Sequence, residues 1–245
     1  MTTTFDSLAE NYDAGRIGYP NDIYNYLVGF GLTPNHRILD VGCGTGLASG
    51  PLLENNFTVV GVDPSQPMLA HAKRRYADAQ WTAGTAEKLP FNDASFDAVI
   101  SAQVMHRVNR AVAMQEILRV LKPNGLVGIW WKHLMNEDAV NVARIEAAQE
   151  VGVDVPRSGL QGGFKEFYAA PFRDHTVRVV PWRASMPFSQ VVQIERSRAN
   201  VHDRMGGGQL ENYFAAFERR LRERFGEGDP YVPLAYTHFL YLAKK

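Results

Sequence analysis

Short β-branched and aliphatic runs alternate with stretches of helical periodicity from about residue 36 to 131. "HRILDV" (36–41) predicts a first strand, and "LASGPLLENN" (47–56) a helix whose start Pro51 delays or kinks. "FTVVGVD" (57–63) predicts a second strand. Ser65 then suits an N-cap, with Pro67 in the first turn of "PMLAHAKRRYA" (67–77). "AQWTAG" (79–84) and "FDAVIS" (96–101) read as strands three and four. Asn109 caps "RAVAMQEILRVL", where Val112, Ile117, Leu118 and Leu121 recur at helical spacing. "KPNG" turns the chain into a fifth strand, "LVGIWW" (126–131). Strands alternating with helices predict right-handed crossovers and an α/β protein with a doubly wound, mostly parallel sheet covered on both faces.

Beyond residue 132 the alternation loses its regularity. "EDAVNVARIEAAQEVG", "SQVVQIERSRANVHDRMGGG" and "QLENYFAAFERRLRERFG" read as helices. "HTVRVVPWRA" and "LAYTHFLYLAKK" read as strands six and seven of the same sheet. The expected organisation is one domain, 1–245. It comprises an N-terminal segment (1–20), a core (36–131), an inserted helical cap (133–215) and a last strand (232–243). No internal repeat or low-complexity linker interrupts it.

Composition narrows the classes. With 26 Lys and Arg against 26 Asp and Glu, the 245-residue chain is neutral, which counts against nucleic acid as a partner. One cysteine, Cys43, excludes an internal disulfide and a multi-cysteine metal site. No secretory signal and no membrane-spanning run is read, so a cytoplasmic location and no membrane partner are expected. Oligomeric state is left open.

The stretch "RILDVGCGTG" (37–46) places Gly42, Gly44 and Gly46 directly after the first strand. In an open parallel sheet, ligands bind outside the carboxyl ends of the strands, where strand order reverses. Asp63 ends the second strand 21 residues after Gly42, and an acid there suits both hydroxyls of a ribose. A nucleoside-containing cofactor is therefore expected. The third glycine comes one place early for a dinucleotide fingerprint, with Leu47 in its stead. Asp40, a fixed negative charge at the strand end, would repel a pyrophosphate and suit a ligand bearing an ammonium or sulfonium group.

"LDVGCGTG", "VVGVDPSQPMLAHA", "GTAEKLPFNDASFDAVIS" and "EILRVLKPNGLVGI" together resemble the successive motifs of class I S-adenosylmethionine-dependent methyltransferases. The group most resembled is the type 11 small-molecule enzymes, which include quinone C-methyltransferases and trans-aconitate methyltransferase-like proteins. The resemblance implies a seven-stranded Rossmann-like sheet, S-adenosyl-L-methionine as cofactor, S-adenosyl-L-homocysteine as product and a small-molecule substrate. It also implies roles. Gly42 and Gly44 would lie against the methionine moiety, and Asp40 would hold its amino end. Asp63 would bind the ribose, and Met68 would pack on the adenine. Ala86 would offer its backbone at the adenine edge, with Glu87 beside it. Gln103 belongs to an "AQ-x-x-H" stretch near the transferred methyl. Thr85 stands where many relatives carry aspartate. "FDSLAENYDAGRIGYP" resembles the group's lid, in which Tyr12 and Arg16 would close over the cofactor.

Bland readings accompany these roles. The glycines also suit a ligand-free turn, and Asp63 a helix cap. His106 is a general base for a hydroxyl acceptor or a residue that fixes its loop; Cys43 reads as a turn residue. Phe164, Phe167, Tyr168 and Phe172 line a substrate cavity or form cap core. Arg196, Arg198 and Arg204 would serve a carboxylate acceptor. The rival functions are a non-catalytic S-adenosylmethionine-binding partner, a nicotinamide-dependent reductase, and a tRNA or protein methyltransferase.

Overall fold

The computed structural model describes residues 17–153 and 164–245. In chain order, α1 (Asn21–Gly29) and β1 (Arg37–Val41) lead to α2 (Gly50–Glu54), β2 (Thr58–Asp63), α3 (Gln66–Arg75) and β3 (Gln80–Ala83). Then come β4 (Phe96–Ala102), α4 (Arg110–Val120), β5 (Leu121–Leu134) and α5 (Ala139–Glu150). The remaining elements are α6 (Lys165–Ala169), β6 (Arg173–Pro187), α7 (Phe188–Arg196), α8 (Ala199–His202), α9 (Gly207–Phe225) and β7 (Tyr231–Lys244).

The seven strands form one sheet in the order β3-β2-β1-β4-β5-β7-β6. β1 pairs in parallel with β2 (Leu39 opposite Val60) and with β4 (Leu39 opposite Val99), and β2–β3 and β4–β5 are also parallel. The sheet is mixed, because β7 runs against β5. Near β7's end the Lys245 amide donates to Gly125, whereas near its start Ala235 accepts from the Met135 amide. Successive crossovers leave β1 in opposite directions, so strand order reverses between β1 and β4. A ligand crevice is expected at that reversal.

Two local expectations hold for physical reasons. Ser65 and Asn109 cap α3 and α4 with side-chain oxygens that accept from Met68 and Val112 amides. Pro51 sits in the first turn of α2, where a missing amide costs nothing, because the helix begins at Gly50 rather than Leu47. The "KPNG" turn is absorbed into β5. Between pairs Phe96–Leu121 and Ala98–Leu126 the fifth strand advances five residues while the fourth advances two. The helix expected over 189–208 is broken into α7 and α8, with Ser197 turning back to donate to the Ile194 carbonyl.

The described chain falls into two compact units. The larger comprises 18–132, 164–180 and 238–245. β1, β2, β4 and the middle of β5 are buried on both faces, which explains their unbroken apolar runs. Leu39, Val99, Val127 and Trp131 join one cluster; Ile38, Ala98, Leu126 and Trp130 join the other, with α1. Phe164, Phe167 and Phe172 pack with Trp131 and Tyr241 in this unit's core, while Tyr168 is exposed. Among the described residues, the smaller unit comprises 17, 133–153 and 181–237. α5, α7 and α9 bury Ala143, Val191, Tyr213 and Phe217 there.

Within the smaller unit's core lies a charged network that the sequence did not suggest. Arg144 and Glu195, both nearly inaccessible, meet at 2.9 Å. Tyr213 Oη donates to Glu195 Oε1 at 2.6 Å, and Arg198 approaches Glu195 at 3.7 Å. The neighbouring guanidinium groups outweigh burial and hold Glu195 below the usual carboxylate range. Arg144 also donates to Asn141 Oδ1 at 3.0 Å.

Candidate functional site

The glycine loop follows β1 and folds over the end of β2. The amides of Gly42 and Cys43 both donate to the Val62 carbonyl, at 2.7 and 3.1 Å. Gly42, Gly44 and Gly46 all have positive φ, at 71°, 53° and 80°, a region L side chains rarely adopt. Their surroundings differ. A Cβ at Gly42 would lie 2.8 Å from Val104 Cγ1, on the loop after β4, and closer still to Cγ2. One at Gly44 would meet nothing within 4 Å among the described residues. Gly42 thus serves protein packing, while Gly44 presents bare backbone to open space.

Asp63, at the exit of β2, ties this loop down. Its Oδ2 accepts from the Gly44 amide at 3.0 Å and its Oδ1 from the Ser65 amide at 2.9 Å. Met68 and Ala86 are buried and apolar nearby in sequence to these exits. The segment after Ala86 is clamped by α4. Arg119 donates to the Leu89 and Phe91 carbonyls, and Glu116 accepts from the Leu89 amide. This assigns a physical task to "EILRVL". Glu87 Oε1 accepts from the Asn109 amide at 2.9 Å, which joins that segment to the N-terminus of α4.

Asp40 is fully buried. Its Oδ2 accepts from Ser49 Oγ at 2.6 Å, and its Oδ1 has no hydrogen-bond partner among the described residues. Burial pushes its carboxyl up to about 7; the Ser49 hydrogen bond opposes this and the negative Asp63 adds to it. A buried carboxylate oxygen without a donor is costly. Such an oxygen, at the end of the strand that leads into the glycine loop, fits a ligand that ends in an ammonium group. The acid at Asp63 fits the ribose of the same ligand. The residues present therefore suit S-adenosylmethionine.

At the exit of β4, Gln103 adopts φ 63°, unusual for a residue with a side chain. Its amide donates to the Trp130 carbonyl and its Nε2 to the Lys132 carbonyl at 3.1 Å, which pins the exits of β4 and β5 together. His106 lies exposed in the turn that follows, closed by the Arg107 amide on the Val104 carbonyl. Tyr12 and Arg16 lie outside the described residues. Of the arginines considered for a carboxylate acceptor, Arg196 stacks over Phe214 at 4.7 Å and Arg198 pairs with Glu195. Ser49, Tyr24 and Val104 were missed, since each acts through a partner distant in sequence.

Among the described residues no helix is long and apolar enough to cross a membrane. The family model described as "Methyltransferase domain" matches residues 39–129. The uncharacterized methyltransferase Rv3342 of Mycobacterium tuberculosis is 30% identical over 199 residues, covering 81% of this chain and 78% of that protein. A demethylmenaquinone methyltransferase of Beutenbergia cavernae is 38% identical over 132 residues, but only 49% of this chain and 53% of that protein are covered. Phosphoethanolamine N-methyltransferase 2 of Haemonchus contortus, solved with S-adenosyl-L-methionine, shares the fold with a TM-score of 0.58 at 20% identity. That match covers 98% of this chain and 57% of the other.

Proposed function

Because the chain belongs to the class I S-adenosylmethionine-dependent methyltransferases, we propose that it methylates an oxygen, nitrogen or carbon acceptor on a small-molecule metabolite. When bound, S-adenosylmethionine supplies a sulfonium methyl for in-line displacement. The observation that carries the reading is the pairing of Asp40, buried with one oxygen undonated, with a glycine loop held by Asp63.

The residues divide the work of binding. Asp40 pairs with the cofactor's ammonium, and Gly44 leaves its backbone bare for the methionine moiety. Asp63 accepts from the ribose hydroxyls, Met68 and Ala86 give the adenine an apolar bed, and Glu87 and Gln103 hold the loops around it. Transfer from a sulfonium would ask these residues for a dry, aligned site more than for a strong oxyanion-type field. Proximity and orientation contribute about 7–11 kcal/mol in favourable cases. Where the acceptor is a hydroxyl, His106 takes its proton as general base.

A small molecule rather than nucleic acid is supported by the net charge of zero. A cytoplasmic location is supported by the lone, buried Cys43, which leaves no disulfide to form. The test is a metabolite panel assayed for production of S-adenosylhomocysteine. Turnover of at least one small acceptor is expected. Binding of cofactor with turnover of none would favour a non-catalytic role.

A further inference from the structure

We propose that Ser49 is a positioning residue for the cofactor: its hydroxyl holds the Asp40 carboxyl through Oδ2 and turns it so that Oδ1 faces the cofactor's ammonium. The proposal rests on the cofactor reading above. Ser49 and Asp40 are both fully buried, nine residues apart, and joined at 2.6 Å. That is the length of a strong hydroxyl–carboxylate bond.

Ser49 is itself held on several sides. Its carbonyl accepts from the Leu52 and Leu53 amides at 3.0 Å. Tyr24, on α1, donates its hydroxyl to the preceding Ala48 carbonyl at 3.1 Å. The next residue, Gly50, is covered by the Tyr76 ring, so that a Cβ there would lie 2.9 Å from Cζ. The serine hydroxyl therefore has little freedom to leave Asp40.

Among the described residues, the groups that face Asp40 supply no positive charge. Asp63 at the end of β2 is like-charged, and burial keeps the Cys43 thiol and the Tyr24 phenol protonated. Among these groups only the Ser49 hydroxyl lowers the cost of ionising the carboxyl. Without that donor the carboxyl retains its proton to higher pH. It must then release the proton before an ammonium group can pair with it. Cofactor affinity should therefore carry a limb set by Asp40, and Ser49 should fix where that limb falls.

The experiment titrates S-adenosylhomocysteine calorimetrically into the full chain between pH 6 and 8.5. Wild-type affinity should rise with pH through neutrality and level off. Ser49→Ala should move the limb upward by about one pH unit, so the loss is about tenfold at pH 6.5 and closes to within about threefold at pH 8.5. Ser49→Thr, which keeps the hydroxyl, should restore the wild-type profile. Asp40→Asn should bind weakly with no limb. If Ser49→Ala fails to fold, Ser49→Cys, a near-isosteric weak donor, must show the same displacement. A loss of equal size at every pH, or no loss, overturns the positioning role. Failure of the wild type to bind at any pH overturns the cofactor reading instead.

Discussion

The Gly44 amide donates to Asp63 Oδ2 at 3.0 Å, so one carboxylate both shapes the glycine loop and stands where a ribose is expected. Asp63→Ala removes the loop's anchor together with the hydroxyl acceptor. Hydrogen bonds to a charged acceptor are worth about 1.5–3 kcal/mol each. S-adenosylhomocysteine affinity should fall at least tenfold by calorimetry, and unchanged affinity in a folded variant removes the ribose assignment.

Asp40 should make the ligand-free protein less stable as pH rises. Its carboxyl holds a proton up to about 7 when folded but ionises near the ordinary 3.8 when unfolded. The folded chain thus binds the extra proton between these values, and stability falls across that window and levels above it. The full shift corresponds to about 4 kcal/mol as an upper bound. Asp40→Asn should raise the melting temperature at pH 8 and do little at pH 4. Equal shifts at both pH values would contradict the buried carboxyl.

Glu195→Gln should be severely destabilising. It would leave Arg144, 4% exposed, without its counter-charge, a loss of about 3–5 kcal/mol in comparable buried pairs. Denaturant unfolding would measure it, and a change below about 1 kcal/mol would show that water reaches this network.

His106→Ala should lower kcat by about 10²–10⁴-fold for a hydroxyl acceptor if the imidazole takes its proton. Affinity for S-adenosylhomocysteine should stay within about twofold. The loss should shrink for an acceptor already ionised at the assay pH. An undiminished loss with that acceptor would end the general-base role and leave the histidine as a loop-fixing residue.

Much of this was legible because it is local. Ser65 and Asn109 cap helices through amides three residues away, and the strand runs declare their double burial in their own composition. What escaped was set by distant partners. Arg144 and Glu195 are 51 residues apart, and nothing around either marks the other. Phe164, Phe167 and Phe172 carry helical spacing suited to a cap, yet Trp131 and Tyr241 draw them into the larger unit's core. The "KPNG" turn follows the same rule. Its residues do turn, with Asn124 at φ 64°, but pairing with β4 resumes at Leu126, and the turn becomes a bulge within a strand.

The close approach of Val104 to Gly42 carries a consequence for recombining this protein with its relatives. The loop after β1 and the loop after β4 come from distant stretches of chain, but they meet at an atom that glycine omits. A chimera that took one loop from a different parent would pair a valine-sized neighbour with whatever residue that parent carries opposite it. The two positions should therefore be inherited as a linked pair. A library shuffled between them should be depleted of every combination in which both sites bear a side chain.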